Sequence, residues 1–337
     1  MKQKLINLLP WSLRNSNQFL NSYGDKFLFG GIIKTPPIET NPNAEAGVHS
    51  AVPHRYLYAY LVAIKSLLRY HQDLAIYVHD DGSLTEKDKA LIHKQLPGVI
   101  IIDRTKADSD FEKSNDPFLS KIRKSYTSYL KLFDTTFFNK SNKILILDTD
   151  TLFIKRPDEI ITWITNGGPH WFHLAPKGQM KAVETKKEID KPATSDSPDL
   201  DKAHIQTLIM NDLDEINETL DKSYCIEQGF CSGFIGYQAD TIKYDELHKL
   251  FDLLYKKFGE KIFLWGSEQT THGLLLCSKG AKALPLEKYF VVTQNNADQA
   301  YKPESTFLHF VGENRFYRFI YPKLAKKIIS ELFGQQN

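Results

Sequence analysis

Three apolar runs in this chain end on aspartate, and that recurrence narrows the folds open to it. LAIYVHDDG closes on Asp80 and Asp81, GVIIID on Asp103, and ILILDTD on Asp148 and Asp150. The runs are continuous instead of alternating, which predicts strands buried on both faces, as in a parallel sheet covered by helices. Stretches with helical spacing lie between them. Leu57, Leu61, Ile64 and Leu68 mark one helix face, and Ile122, Tyr126, Tyr129, Leu130, Phe133 and Phe137 mark a second. LTEKDKALIHKQL reads as a helix capped by Thr85. Strand and helix in alternation predict an α/β fold with a mixed, mainly parallel central sheet flanked by helices. Ligands of such sheets sit at the carboxyl ends of the strands, where all five aspartates fall.

The remaining segments fill in a single large domain, which 337 residues can build. FLFGGII, from Phe27, reads as a first buried strand, and Lys34 to His54 as a long loop rich in Pro and Asn. A polar stretch at about 176–223, with KPATSDSPDLDK at its centre, reads as an insertion or lid. Apolar content returns with GFCSGFIGY, a helix at about 240–258, LWGSEQTTHGLLL and STFLHFVGENRFYRF. Leu324, Ile328 and Leu332 predict a closing helix. The expected organisation is an N-terminal extension over 1–26, a main domain over 27–320 and a C-terminal helix over 321–337.

Composition removes some classes of function. A formal net charge of +2 argues against a nucleic-acid binder. Cys225, Cys231 and Cys277 form no CxxC pair and no disulfide framework, so a reducing compartment is expected. The basic start MKQKLINLLPWSLR is interrupted at Pro10 and Arg14, unlike a signal peptide or a membrane span. No stretch of eighteen apolar residues occurs elsewhere, so no transmembrane segment is expected. The expected location is the cytoplasm, with Leu5 to Leu13 able to touch a membrane surface.

ILILDTDTLF poses the chemical question. Two carboxylates two residues apart, at the end of a buried strand, repel one another unless a cation lies between them. In an extended segment residues i and i+2 face the same way, so Asp148 and Asp150 could share one ion. Mg2+ and Mn2+ favour such oxygen ligands and leave positions open for phosphate.

ILILDTDTLFIKRPDEI resembles the D-x-D segment of nucleotide-sugar glycosyltransferases with the Rossmann-like GT-A fold. Three later stretches extend the resemblance in the order such enzymes show. GFCSGFIG resembles the sugar-facing segment, with Cys231, Ser232 and Gly233 at its turn. GSEQTTHGLLL resembles the helix start beside the transferred sugar, and LHFVGENR the His-x-x-Gly segment of the retaining, glycogenin-like branch, family 8. The likeness runs over about residues 27–320. It departs at Glu313-Asn314-Arg315-Phe316, where that branch continues toward Lys-Pro-Trp, and at Glu268-Gln269, where it carries Asp-Gln.

The resemblance implies a hexosyltransferase-like enzyme using a nucleoside diphosphate sugar, UDP-linked by default, and Mn2+ or Mg2+. It places the metal on Asp148, Asp150 and His309, and catalytic or positioning roles on Glu268 and Gln269. Ser232, Gly233 and Gly312 would line the donor. Asp80 and Asp81 either read the nucleoside or simply open a turn with Gly82. Lys121, Arg123 and Lys131 either face a diphosphate or form a solvated helix face. The acceptor, whether glycan, lipid-linked or protein, is left open. Two rival readings stand beside this one. Haloacid-dehalogenase-like phosphohydrolases also place D-x-D after an apolar strand, although this chain has Leu152 where they carry Thr or Val. A catalytically silent protein that binds sugar nucleotide or glycan would keep the same scaffold.

Overall fold

The computed structural model describes residues 24–114, 117–176 and 204–334. A ten-stranded sheet organises it, in the order β3-β2-β1-β4-β7-β6-β9-β10-β5, with β8 beside β6. Its strands are β1 (Ala46–Val52), β2 (Ala75–Asp80), β3 (Ile100–Ile102), β4 (Lys143–Leu147) and β5 (Thr151–Phe153). They continue with β6 (Trp171–Leu174), β7 (Phe230–Gln238), β8 (Lys282–Ala283), β9 (Tyr289–Val291) and β10 (Phe307–His309). Neighbours are parallel except where β7 lies against β4 and β6 and where β5 lies against β10. The sheet is therefore mixed and mainly parallel, with helices on both faces, as the apolar runs predicted.

The helices are α1 (Leu57–Leu68), α2 (Glu86–Gln95), α3 (Arg104–Ser114), α4 (Pro117–Ser125), α5 (Tyr129–Phe138) and α6 (Asp158–Asn166). After them come α7 (Ile205–Asn211), α8 (Leu213–Leu220), α9 (Tyr244–Phe258), α10 (Ser267–Cys277) and α11 (Ile320–Gly334). Thr85 caps α2 in a capping box, its hydroxyl accepting from Asp88 N–H while the Asp88 carboxylate accepts from Thr85. Two cores sandwich the sheet. One gathers α1, α11 and residues such as Val48, Leu145 and Phe307. The other gathers α5, α9 and α10 around Phe133, Ile146, Phe251 and Leu275.

Several expectations need correction. FLFGGII is no strand: residues 24–29 are helical and Gly30–Lys34 forms a 3-10 turn. Helical spacing is what buries Phe29 and Ile32, and Phe29 packs edge-on against Tyr321 of α11 at 5.1 Å. The supposed loop from Lys34 to His54 contains β1, a central strand hydrogen-bonded to both β2 and β4. Its sequence AGVHSAV hides it, because polar residues are buried there with dedicated partners. Ser50 Oγ donates to Leu147 O at 2.7 Å, and the His49 ring nitrogens contact His79 and Asn139. The helix expected to run from Ile122 through Phe137 is two, α4 and α5, broken near Tyr126. In the polar stretch at 176–223, residues 177–203 lie outside the described residues, while 205–220 fold into α7 and α8. Leu5 to Leu13 also lie outside. No helix among the described residues is long and apolar enough to cross a membrane.

This topology fixes where a ligand fits. The chain winds from β1 outward to β3, then returns to β4 on the other side of β1. Loops after β1 and β4 consequently diverge at the carboxyl edge and leave a crevice there.

Candidate active site

A cleft of about 350 Å³ opens at that edge, walled by Ala51 of β1 and Pro53 just after it, Asp148 to Asp150 after β4, and Cys231 and Ser232 of β7. His309 at the end of β10 and Glu268 and Gln269 at the start of α10 complete it. Asp148 and Asp150 converge by a different route from simple alternation along a strand. They occupy a turn between β4 and β5, and neighbouring strands pin it. Asp148 N–H donates to Gly233 O at 2.8 Å, and Phe310 N–H donates to Asp150 O at 2.9 Å. Thr151 Oγ1 donates back to Asp148 O at 2.8 Å.

His309 Nε2 lies 3.2 Å from Asp150 Oδ1 and 3.8 Å from Asp148 Oδ2. One ligand atom from each of these three residues falls within 4.8 Å of the others. Two carboxylate oxygens and one imidazole nitrogen make a donor set suited to a hard divalent ion. Gly233 leaves the room: a Cβ there would stand 2.6 Å from His309 Nδ1 and 3.0 Å from Asp148 Oδ2. Burial disfavours charge on both Asp150 and His309. Their mutual attraction outweighs it, holding Asp150 below the usual carboxylate range; Cys231 and Asp150 hold His309 well above the usual histidine range.

Lys131 supplies the fixed positive charge. Its Nζ is 2.8 Å from Asp148 Oδ1 and 3.7 Å from Glu268 Oε2, in a side chain only 6% exposed. Burial opposes its charge, yet the two carboxylates hold its pKa above the usual lysine value. Glu268 is held equally firmly. Its Oε1 lies 2.7 Å from His272 Nδ1, and Ser232 Oγ donates to Oε2 at 3.2 Å. Burial alone would raise its pKa, but Lys131, His272 and Ser232 keep it lowered. Gln269 Oε1 accepts from Ser232 N–H at 3.4 Å.

The other sequence-based candidates divide. Asp81 lines the cleft, although its Oδ1 accepts from Ser83 N–H and Oγ. Asp80 does not reach the cleft wall. It is buried, its Oδ1 accepts from Gly82 and Leu84 N–H, and it organises the turn. Gly312 lies just beyond the lining residue Val311, with φ +58 in the left-handed region. Lys121 faces Glu260 and the Phe263 ring, away from the site. Arg123 is a core residue, its Nε 2.5 Å and Nη2 3.1 Å from the Asp134 carboxylate.

Sequence reasoning passed over several residues. Arg55 lines the cleft from a 3-10 turn, Trp265 from the loop before α10, and Tyr126, which the sequence placed on a helix face, from the break between α4 and α5. His173 of β6 approaches His309 from behind, its Nε2 3.1 Å from His309 Nδ1. Only His272 carried a readable signal, four residues after Glu268 and so on the same helix face.

The sequence pattern of the family called Glycosyl transferase family 8 matches residues 48–316. No curated protein matches the chain in sequence. Among solved structures, the bifunctional glycosyltransferase WbbM is 15% identical with a TM-score of 0.50, covering 87% of this chain and 52% of that one. The galactosyltransferase LgtC, solved with donor and acceptor sugar analogues, is 16% identical with a TM-score of 0.48, covering 86% and 95%. The mannosyltransferase Ktr4p of S. cerevisiae, solved with GDP, is 14% identical with a TM-score of 0.40, covering 79% and 78%.

Proposed function

Since the chain belongs to glycosyl transferase family 8, and is therefore a glycosyltransferase with a GT-A fold, we propose that it transfers a sugar from a UDP-linked donor in a metal-dependent reaction. The observation that carries this reading is the convergence of Asp148, Asp150 and His309 on one point at the cleft floor. These three would hold Mn2+ or Mg2+. Bound there, the ion would neutralise the departing diphosphate, which makes it a better leaving group.

The chain's own residues supply the remainder. Lys131 is a fixed ammonium beside Asp148, placed to keep anionic groups at the floor balanced. Glu268 is poorly suited to be a free general base, because both its oxygens are engaged and its pKa is lowered. It serves to hold Lys131 and Ser232 in place. Gln269 on the same helix turn presents its amide to the cleft, where it can donate to a sugar hydroxyl. Trp265 and Tyr126 offer aromatic faces at the cleft, apt for an acceptor sugar.

Family membership displaces the phosphohydrolase reading. The test is a thermal shift with Mn2+, UDP and both, followed by a screen of nucleotide sugars for metal-dependent hydrolysis. A ligand at a hundred times its Kd stabilises by about 2.7 kcal/mol, so joint stabilisation by Mn2+ and UDP is expected. NMR of the released sugar anomer then reports whether configuration is retained. Indifference to both ligands, with no donor hydrolysed, overturns the proposal.

A further inference from the structure

For His309 to bind a cation through Nε2, that nitrogen must be bare, and the ring's proton must sit on Nδ1. We propose that the buried His173 is a positioning residue that fixes this tautomer, through a hydrogen-bond chain that starts at the main-chain carbonyl of Phe234. The inference rests on the cation reading of Asp148, Asp150 and His309.

The chain has a defined polarity. His173 Nδ1 lies 3.0 Å from Phe234 O, and a carbonyl oxygen can only accept, so the proton is on His173 Nδ1. His173 Nε2 is then available as an acceptor, 3.1 Å from His309 Nδ1. His309 donates from Nδ1 into it and is left with a bare Nε2, which faces the two aspartates. Were the polarity reversed, His309 would aim an N–H at the cation.

The local fold explains why the chain exists. The β6/β7 register slips between Phe172 and His173, so that His173 pairs with Cys231. That slip carries Ser232, Gly233 and Phe234 past the regular ladder and brings the Phe234 carbonyl to the imidazole. The His173 ring is fully buried and packed edge-on against Phe307 at 5.3 Å, so it cannot readily turn. Cys231 Sγ stands farther from His309 Nδ1, at 3.5 Å, than His173 Nε2 does at 3.1 Å. Groups that orient a metal-bound histidine in this way are typically worth about 10- to 100-fold in metal affinity.

The experiment combines Mn2+ titration of the full chain, read from the spin-resonance signal of free Mn2+, with proton–nitrogen NMR of the Mg2+-loaded protein. Wild type should show His309 with a protonated Nδ1 and a bare Nε2. His173→Leu should weaken Mn2+ binding by about 10- to 100-fold and lose the fixed tautomer. His173→Gln, whose side-chain carbonyl can take the place of Nε2, should recover most of the affinity. If the leucine variant does not fold, the wild-type spectrum and the glutamine variant decide. A proton on His309 Nε2 in Mg2+-loaded wild type overturns the inference. So does Mn2+ affinity in His173→Leu equal to wild type, or a thiolate-to-cobalt charge-transfer band in Co2+-loaded wild type, which would put the ion on Cys231. If wild type binds no Mn2+, or binds it unchanged in Asp148→Asn, the cation reading itself fails and takes this inference with it.

Discussion

Gly233→Ala is the sharpest perturbation of the candidate cation site, because its effect is steric and its size can be worked out. Gly233 does not sit at a positive φ, so alanine adopts the backbone without penalty. The added methyl would strike His309 Cε1 and lie 2.6 Å from Nδ1, where ordinary contact begins at 3.4 Å, so the ring must retreat by more than about 0.8 Å. Metal sites hold their ligand distances to about 0.2 Å, and this displacement is several times larger. Behind the ring stands His173 at 3.1 Å, so retreat compresses a second buried side chain. Overpacking of this kind costs about 1–3 kcal/mol. Calorimetric titration should therefore find Mn2+ affinity reduced by at least about tenfold. Denaturant unfolding should show the stability loss. Gly236→Ala is the control: its methyl would strike Trp171, with Nε1 at 2.7 Å, on the same strand but away from the cleft. It should lose stability and keep Mn2+ affinity. If Gly233→Ala binds Mn2+ as wild type does, His309 is not a ligand held in place by that glycine.

Three further outcomes are expected. Lys131→Met leaves Asp148 and Glu268 without their shared ammonium. The ion-free protein should lose about 3 kcal/mol, while the stabilisation produced by Mn2+ grows, as calorimetry with and without the ion would show. Arg123→Leu takes the guanidinium from the buried Asp134 carboxylate, which keeps the His79 ring beside it, and should cost about 3 kcal/mol in urea unfolding, with Mn2+ affinity unchanged. Burial pushes the Lys65 ammonium down to about 8, against about 10.4 in the unfolded chain. Between those values the unfolded chain binds more protons, so stability rises with pH. Wild type should gain about 2 kcal/mol relative to Lys65→Met between about pH 7.5 and 9.5, and parallel curves for the two proteins would refute the assignment.

What was legible in the sequence follows physical rules. β2, β3 and β4 could be read because each is a run of large apolar residues ending where a ligand edge should be. The capping box at Thr85 was readable because its partners lie three residues apart. β1 was not, since its small and polar residues are tolerated only through contacts far along the chain. Gly47 admits the Tyr77 ring, and Ser50 reaches Leu147 across 97 positions. FLFGGII misled for the opposite reason: seven residues are too few to separate a strand from a helical turn by periodicity. In the site, Asp148, Asp150 and His309 were found by motif, but the geometry that unites them is non-local. His309 reaches the aspartates because β5 and β10 pair across the far edge of the sheet. Asp80 and Arg123 show the converse. Their types and positions suited a ligand, yet each is consumed by partners on neighbouring loops and helices.

Charge balance ties the site together. Asp148, Asp150 and Glu268 bring three carboxylates to the floor of the cleft, against the single ammonium of Lys131. Two negative charges remain. In the ion-free protein Cys231 and Asp150 favour a proton on His309, which would offset one of them. A dication would offset both, and it would need the lone pair that this proton occupies, so binding should release the proton. An apolar strand ending on paired acids then has a physical answer. The pair is tolerable without an ion because a lysine and a histidine shield it incompletely, and that residual charge is what would make the site attract a divalent cation. A site neutralised fully by its own side chains would be more stable and would have no such affinity.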